Sequence, residues 1–383
     1  MIDMDHAGEN AQKRTKKTPM AQVALGEVSG AFGDLGTLLP YIVGILVAGV
    51  LAPGPVFFGF AMAYLTVALV YRMPVPVQPM KAIGAVVLAG GLNAVGIAWS
   101  GAILGAILLG LALLPKLTAL ARAIPQSVLV GLQVGLGLTL GAFAFSLMRE
   151  GWFLAVPTLA LLSLSFLWAR GPWALLAVIA AVVGGGFSGT PAPVQITLPE
   201  VSTMADAVFL GVIPQLPLTL LNAVVLTVAV SHTLYGPAAR RVTERKLAVT
   251  TGFLNLALVP FGAFPMCHGA GGVAAHKRFG ARTMAAPLVM AAICAAAALF
   301  GPQVVTYLSL IPMAIIGALL AYASVELAFN KRLIDARPDC RPVIAAAAVV
   351  TLFAGAAFGL VAGLLAECIR GYAARNRAQP RNS

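Results

Sequence analysis

Apolar stretches about as long as a membrane span recur along nearly the whole chain, from about residue 30 to about residue 365. A helix needs roughly 20 apolar residues to cross the hydrocarbon core of a bilayer, and a backbone in lipid must satisfy its hydrogen bonds internally. Only 10% of the 383 residues are charged, against roughly 25% in soluble domains. A water-soluble fold could not cover its surface with so few charges, so the sequence predicts an all-helical, polytopic membrane protein.

The basic residues indicate how this protein is oriented. Its net charge is +12, but basic residues that flank apolar spans usually set membrane orientation rather than bind nucleic acid. With about fourteen spans and a cytoplasmic N-terminus, all but two of the 25 basic residues fall in cytoplasmic segments, the exceptions being Arg149 and Lys81. We therefore expect a multi-pass protein of the cell membrane with both termini in the cytoplasm and no nucleic-acid partner.

Two short motifs recur in the same order in the two halves of the chain. Thr-Leu-Leu occurs at 37–39 and at 219–221, and Gln-Pro-Met at 78–80 corresponds to Phe-Pro-Met at 264–266. The corresponding elements lie about seven predicted spans apart, and an odd number of spans inverts the second copy. The predicted organisation is a cytoplasmic tail (1–20), a first inverted repeat (21–187), an extracytoplasmic linker (188–207), a second repeat (208–370) and a cytoplasmic tail (371–383).

Segments 73–81 and 261–272 interrupt the apolar pattern with proline, glycine and polar residues. Proline is favoured in the first turn of a helix and disfavoured inside one, so each segment predicts an extended stretch followed by a half-helix. Two half-helix N-termini meeting near the membrane midplane would present unpaired N–H groups to an anion. The alternative is that the prolines only kink packed helices and the glycines only allow close helix approach.

Polar side chains on these elements are the predicted ligands. Lys81 lies at membrane depth, where a charge costs at least about 2.5 kcal/mol, and either neutralises an anion or carboxylate or extends to the inner face. Amide side chains at depth either donate to an oxyanion or join helices. The predicted substrate-binding residues are Thr37, Gln78, Met80, Lys81, Gln215, Asn222, Met266, Cys267, His268 and Gly269.

Other classes of site have little support in the sequence. The four cysteines are widely spaced, which indicates neither a disulfide framework nor a zinc site. His268 and Cys267 have only His276 as a further nearby metal-ligand candidate, so we expect no metal and no cofactor. No nucleophile–base pair is apparent, and we expect no enzymatic activity.

Four motifs together resemble a known transporter family. They are Gly-Asp-Leu-Gly-Thr at 33–37, Pro-Val-Pro-Val-Gln-Pro-Met-Lys at 74–81, Gln-Leu-Pro-Leu-Thr-Leu-Leu-Asn at 215–222 and Pro-Met-Cys-His-Gly-Ala-Gly-Gly at 265–272. This pattern resembles the molybdate transporter family, which is related to the SulP sulfate permeases. The resemblance implies a fourteen-span fold of two inverted repeats, a core domain that moves against a gate domain, and a homodimer. SulP permeases usually have a cytoplasmic STAS domain, which we do not expect here.

The expected function is import of molybdate, with tungstate or sulfate as related ligands. A sulfate or nucleobase carrier of the same architecture and a passive anion channel are the alternatives. A dianion entering against about 100 mV faces roughly 4.6 kcal/mol, so uptake needs accompanying positive charge, for which we expect protons. Asp34 and Glu27 are the predicted coupling carboxylates, with Glu326 and His268 also at depth; an Asp34–Lys81 ion pair of purely structural role is the alternative for Asp34.

Overall fold

The computed structural model describes residues 20–167, 176–177, 179–183 and 198–378, and these are mostly helical. Nearly all of the predicted N-terminal tail, the first half of the predicted linker (188–197), the centre of the seventh predicted span at Val178 and the last five residues lie outside the described residues. The predicted all-helical class is confirmed apart from two short strands.

The first half of the chain begins with a helix that is broken near Asp34. Its elements are α1 (Met20–Ala31), a 3-10 turn (Phe32–Asp34), α2 (Leu35–Val47), α3 (Pro53–Tyr71), β1 (Gln78–Pro79), α4 (Lys81–Leu88), α5 (Ala94–Ala112), α6 (Leu117–Arg122), α7 (Gln126–Met148), a 3-10 turn (Arg149–Gly151) and α8 (Trp152–Leu167). Asn93 caps α5, because its side-chain oxygen accepts hydrogen bonds from the amides of Val95 and Gly96.

The second half begins with a long irregular helix. Its elements are α9 (Met204–Arg241), α10 (Glu244–Leu258), β2 (Met266–Cys267), α11 (Ala270–Arg278), α12 (Ala285–Leu299), α13 (Gly301–Leu308), α14 (Met313–Ala328), α15 (Lys331–Ile334), α16 (Arg341–Ala354) and α17 (Ala356–Ala378). Within α9, π-helical turns at Ala207–Val212 and Thr219–Leu226 flank the segment that contains Pro214 and Pro217. Proline removes a backbone donor, and π-turns are a common adjustment within a helix at functional sites.

The helices pack as two groups. In the first group α3 packs against α12 and α5 packs against α10. The short helix α4 contacts α2 and α9, and the short helix α11 contacts α9 and the Phe32–Asp34 turn. In the second group α7 packs against α14 and α16, and α8 packs against α14. Glycine allows the closest approach between α5 and α10, where a Cβ on Gly105 would lie 2.7 Å from the carbonyl oxygen of Gly252. The two groups meet where α14 contacts α2 and α7 contacts α4.

Fewer helices than the predicted spans meet a strict length criterion. Among the described residues, six helices are long and apolar enough to cross a membrane, or seven if the bent pair α12–α13 is one span. The helices α4 and α11 have 8 and 9 residues, or about 12–13 Å at 1.5 Å per residue, which is less than half of the roughly 30 Å hydrocarbon core. The chain is therefore a multi-pass membrane protein, while the count of fourteen spans stays a prediction.

Candidate functional site

The two proline-containing segments pair with each other in the interior of the first group. Strands β1 and β2 are antiparallel, with Gln78 opposite Cys267 and Pro79 opposite Met266. The amide of Met80 extends the pairing by donating to the carbonyl of Pro265 at 2.9 Å. Each strand lies directly before one short helix, α4 or α11. The N-termini of both short helices are therefore held next to the same buried strand pair. The sequence predicted the extended segments and the short helices, but not the pairing of the two strands.

Buried side chains satisfy the backbone of these extended segments. The Asn255 side chain donates to the carbonyl of Met266 at 2.6 Å and accepts from its amide at 2.9 Å, so it takes the place of a neighbouring strand. The Tyr64 hydroxyl donates to the carbonyl of Val77 at 3.0 Å. Such bonds are required wherever non-helical backbone is buried at membrane depth. The sequence analysis did not identify Asn255 or Tyr64, although a fully buried amide in an apolar helix is a detectable signal.

His268 joins the two strand segments through its side chain. Its Nδ1 lies 2.8 Å from the carbonyl oxygen of Pro76, and the ring packs edge-on against Tyr71 with centroids 6.0 Å apart. A carbonyl only accepts hydrogen bonds, so Nδ1 is the protonated nitrogen. Nε2 is buried and has no hydrogen-bond partner among the described residues. In a neutral ring this nitrogen is an acceptor, so it cannot donate to an anion unless the ring gains a proton.

Gln215 caps the first turn of α4. Its Oε1 accepts from the amide of Ala82 at 2.9 Å, and its Nε2 donates to the Thr219 hydroxyl at 3.0 Å. Both polar atoms of this buried side chain are thus engaged within the protein. Its Nε2 has a second hydrogen, so donation to the anion stays a prediction, whereas the observed role of Gln215 is to position α4.

Asp34 and Gln78 form the polar centre of the site. Gln78 Nε2 donates to Asp34 Oδ2 at 2.7 Å, both residues are buried, and the Thr37 hydroxyl hydrogen-bonds to the same carboxylate. Helix α11 approaches this pair through glycine: a Cβ on Gly272 would lie 2.5 Å from Asp34 Oδ2, and a Cβ on Gly269 would overlap Gln78 Oε1. The polar pair is therefore enclosed by the 3-10 turn before α2, by β1 and by α11.

Lys81 is the first residue of α4 and is half-buried. It interacts electrostatically with the carboxylates of Asp34 and Glu326. No ion pair within 4.0 Å involves Lys81 in the part of the chain that the structure describes. The direct Asp34–Lys81 pair weighed above is thus not formed in this conformation, since Asp34 bonds to Gln78 instead.

Two predicted residues make their hydrogen bonds elsewhere. Asn222 Oδ1 accepts from Arg332 Nη2 at 3.4 Å, which links α9 to the segment after α14. Glu27 Oε1 accepts from the amides of Arg282 and Thr283, each at 3.0 Å, and so holds the segment after α11. Both contacts give these residues structural roles that the sequence analysis did not foresee.

The described residues include a cavity in the second helix group and no metal-binding cluster. Among the described residues, no group of three or more His, Cys, Asp or Glu side chains is arranged to hold a metal ion. A cavity of about 670 Å³ lies in the second group, lined by Ser127, Lys331, Arg332, Glu367 and Arg370 among others. The residues that line this cavity do not include the strand pair.

Comparisons with known proteins place this chain among membrane transporters. A family model described as "Molybdate transporter of MFS superfamily" matches residues 26–140 and 207–327. Molybdate transporter 1 of Arabidopsis thaliana is 29% identical over 415 aligned positions, which cover 93% of this chain and 90% of that protein.

Two solved structures show the fold. The transmembrane domain of the cyanobacterial bicarbonate transporter BicA has a TM-score of 0.62 at 17% identity and covers 90% of this chain and 98% of that one. The murine anion transporter Slc26a9, solved in its inward-facing state, has a TM-score of 0.64 at 16% identity, covering 98% and 75%. The fold is therefore of the SLC26/SulP type, as the sequence resemblance implied, and the relatives' names indicate a transporter and not an enzyme. Since the family model matches more than half of the residues, this chain belongs to the molybdate transporter family.

Proposed function

We propose that this protein imports molybdate across the cell membrane by proton-coupled symport with alternating access. The observation that supports this most directly is the antiparallel pairing of Gln78–Pro79 with Met266–Cys267, which holds the N-termini of two short helices at one buried point. Helix N-termini bind anions through unpaired amides and a positive dipole end. The family and its curated relatives supply the choice of molybdate as the anion.

The structure narrows the set of anion donors within this proposal. The amides of Met80 and Ala82 already donate to Pro265 and Gln215. The first amides of a helix lack intrahelical acceptors, so the donors left on α4 are the amides of Lys81 and Ile83 and the ammonium group of Lys81. On α11 the corresponding donors are the amides of its glycine-rich first turn, next to Cys267, His268 and Gly269. Gln78 reaches the same point from β1.

The proposed architecture is two inverted seven-span repeats, 21–187 and 208–370. If α3 corresponds to α10, α4 to α11, α5 to α12 and α7 to α14, exchange of the halves converts the α3–α12 contact into the α10–α5 contact. The same exchange leaves the β1–β2 pair and the α7–α14 contact unchanged. Antiparallel pairing of equivalent strands is what opposite orientation of the two copies requires.

Alternating access would then be movement of the first helix group against the second. Lys81 lies close to the boundary between the groups, since α4 contacts α7 there and α2 contacts α14. Movement along this boundary would expose the ends of α4 and α11 to one side of the membrane and then to the other.

We also propose that both termini are cytoplasmic and that the protein is a homodimer. Labelling of a Thr243→Cys variant from outside the cell by an impermeant reagent would contradict this orientation.

Protons are the proposed coupling ions, and Asp34 is the proposed coupling carboxylate. Two positive charges are needed to cancel the charge of a dianion, and each charge is worth about 2.3 kcal/mol per 100 mV. Asp34 is buried beside the predicted anion site, and among the described residues its hydrogen-bond partners are the neutral side chains of Gln78 and Thr37. Glu27, the second predicted coupling residue, already accepts two backbone hydrogen bonds at its Oε1.

Direct binding and uptake measurements test the proposal. Purified protein is expected to bind molybdate and tungstate more tightly than sulfate, and not to bind uracil. In proteoliposomes an inward proton gradient should drive accumulation of labelled molybdate, and a protonophore should abolish it. Preference for sulfate or uracil would move the substrate to one of the alternatives, and anion conductance without proton-driven accumulation would identify a channel.

A further inference from the structure

Glu326 brings a second carboxylate to the site from the opposite helix group. It lies on α14, and the Tyr322 hydroxyl donates to Glu326 Oε1 at 3.1 Å. Helix α14 packs against α2, where a Cβ on Gly36 would lie 3.6 Å from the ring of Tyr322. Glu326 is therefore positioned at the boundary between the two groups, on the side of the second group.

The charged and titratable groups around Glu326 are few. Lys81 of α4, Asp34 before α2 and Tyr41 of α2 interact with it electrostatically, and Tyr322 lies one turn away on its own helix. Helices α7 and α8, which also pack on α14, contain no ionisable residue. The Arg149–Gly151 turn contacts α14 near Ala314, about three helical turns from Glu326. Lys81 is thus shared between one carboxylate from each helix group.

The charges of this set oppose binding of a dianion. With Lys81, Asp34 and Glu326 all ionised, one positive charge faces two negative charges, and a dianion would add two more in surroundings where charge interactions are strong. Protonation of both carboxylates leaves the positive charge of Lys81 opposite the dianion. Anion binding must therefore favour uptake of protons by both carboxylates, because ligand and proton binding to one set of groups are thermodynamically linked.

We infer that Glu326 is the second proton-carrying carboxylate, so that each molybdate enters with one proton on Asp34 of the first helix group and one on Glu326 of the second. This inference rests on the proposed function and extends it to the stoichiometry. Two protons cancel the charge of the dianion, which is the minimum that removes the electrical barrier. Because Glu326 and Lys81 lie on opposite sides of the moving boundary, protonation of Glu326 also removes its attraction to Lys81 across it.

The pH dependence of molybdate binding tests the stoichiometry. The dissociation constant of purified protein is measured over a pH range in which molybdate stays a dianion and both carboxylates are ionised in the free protein. For each unit of increase in pH, the affinity for molybdate should fall about 100-fold in the wild-type protein and about 10-fold in Glu326→Gln. The slope of affinity against pH counts the protons that bind together with the ligand. Asp335→Asn is the control, since this carboxylate is exposed and follows α15, outside the set of charges around Glu326; it should keep the 100-fold slope.

A structural role for Glu326 would change the affinity but not the slope, so an unchanged slope in Glu326→Gln overturns the inference. Glu326→Asp keeps a titratable carboxylate and should restore the slope even if it weakens binding; failure to restore it would also count against the inference. A wild-type protein that binds molybdate without pH dependence would contradict the proposed symport itself. A wild-type slope that is lost only in Asp34→Asn would leave the symport intact and remove Glu326 from it.

Discussion

The two short helices at the site have the same architecture and different chemistry. Helix α4 begins with a charged side chain, Lys81, and its first turn is capped by Gln215. Helix α11 follows Gly269, has glycine at the second and third positions of its first turn, and has its basic residues at its C-terminal end. Basic groups at that end offset the negative end of the helix dipole. The comparison indicates that α4 supplies charge, whereas α11 supplies bare backbone donors and close approach to Asp34.

The largest effect should come from blocking the close approach of α11. In Gly272→Ala the added methyl would lie within 2.5 Å of Asp34 Oδ2 and 2.6 Å of Pro76, so α11 must move away. We expect loss of molybdate uptake by about 100-fold or more, since a displacement of about 1 Å at a binding constellation can cost that much. Gly271→Ala is the matched control, because a Cβ there meets no atom within 4 Å and should leave uptake close to wild type.

Both variants should be compared as folded protein, by gel filtration in detergent and by thermal stability. Equal uptake by Gly271→Ala and Gly272→Ala would show that α11 does not depend on glycine for its approach to Asp34. The proposed role of α11, which is to approach Asp34 closely, would then be wrong.

The next effect concerns the carboxylate that α11 approaches. Asp34→Asn keeps the acceptor for Gln78 Nε2 but cannot release or bind a proton. Loss of one co-transported charge should lower steady-state molybdate accumulation about 50-fold at a membrane potential of about 100 mV. Accumulation is measured in proteoliposomes at fixed potential, and binding is measured separately. Unchanged accumulation with unchanged pH dependence would exclude Asp34 as the coupling group.

Local sequence patterns predicted the breaks in the helices but not their partners. Proline at 74, 76, 79 and 265 identified both extended segments, because proline has a local steric effect. The pairing of Gln78 with Cys267 joins residues far apart in the chain, and the register of so long a connection has no local signature. The role of Gln215 as a cap of α4 was missed for the same reason: an isolated amide in an apolar helix shows that a partner exists without showing which one.

The role of Glu326 was also difficult to predict from the sequence. Its position near a span end made it one of several carboxylates at depth, and no sequence spacing relates it to Lys81. Only the packing of α14 on α2 brings Glu326 close to Lys81. The number of spans is hard to predict for another reason, because α4, α11, α14 and α16 are all shorter than an ideal crossing helix.

An effect of similar size is expected on the α4 side when a side-chain donor is removed. Gln78→Ala removes the bond to Asp34 and one donor near the anion, which should cost about 1.5–3 kcal/mol, or roughly 10- to 150-fold in molybdate affinity. The measurement is equilibrium binding to purified protein. Wild-type affinity in this variant would remove Gln78 from the site and leave backbone amides and Lys81 as the donors.

The smallest effect should come from Gln215→Ala, because this residue acts on the anion only through α4. The variant loses the acceptor for the Ala82 amide and the donor to Thr219, and losing a helix cap costs about 0.5–2 kcal/mol. We therefore expect a fall in molybdate affinity of about 2- to 30-fold, together with lower thermal stability. Gln215→Glu keeps the acceptor for Ala82 and separates the two roles: a capping residue retains most of the stability in this variant, whereas a direct donor to the anion loses affinity further, since a carboxylate repels it. If Gln215→Ala weakened binding as much as Gln78→Ala while stability stayed at the wild-type level, Gln215 would contact the anion directly and α4 would not depend on its cap.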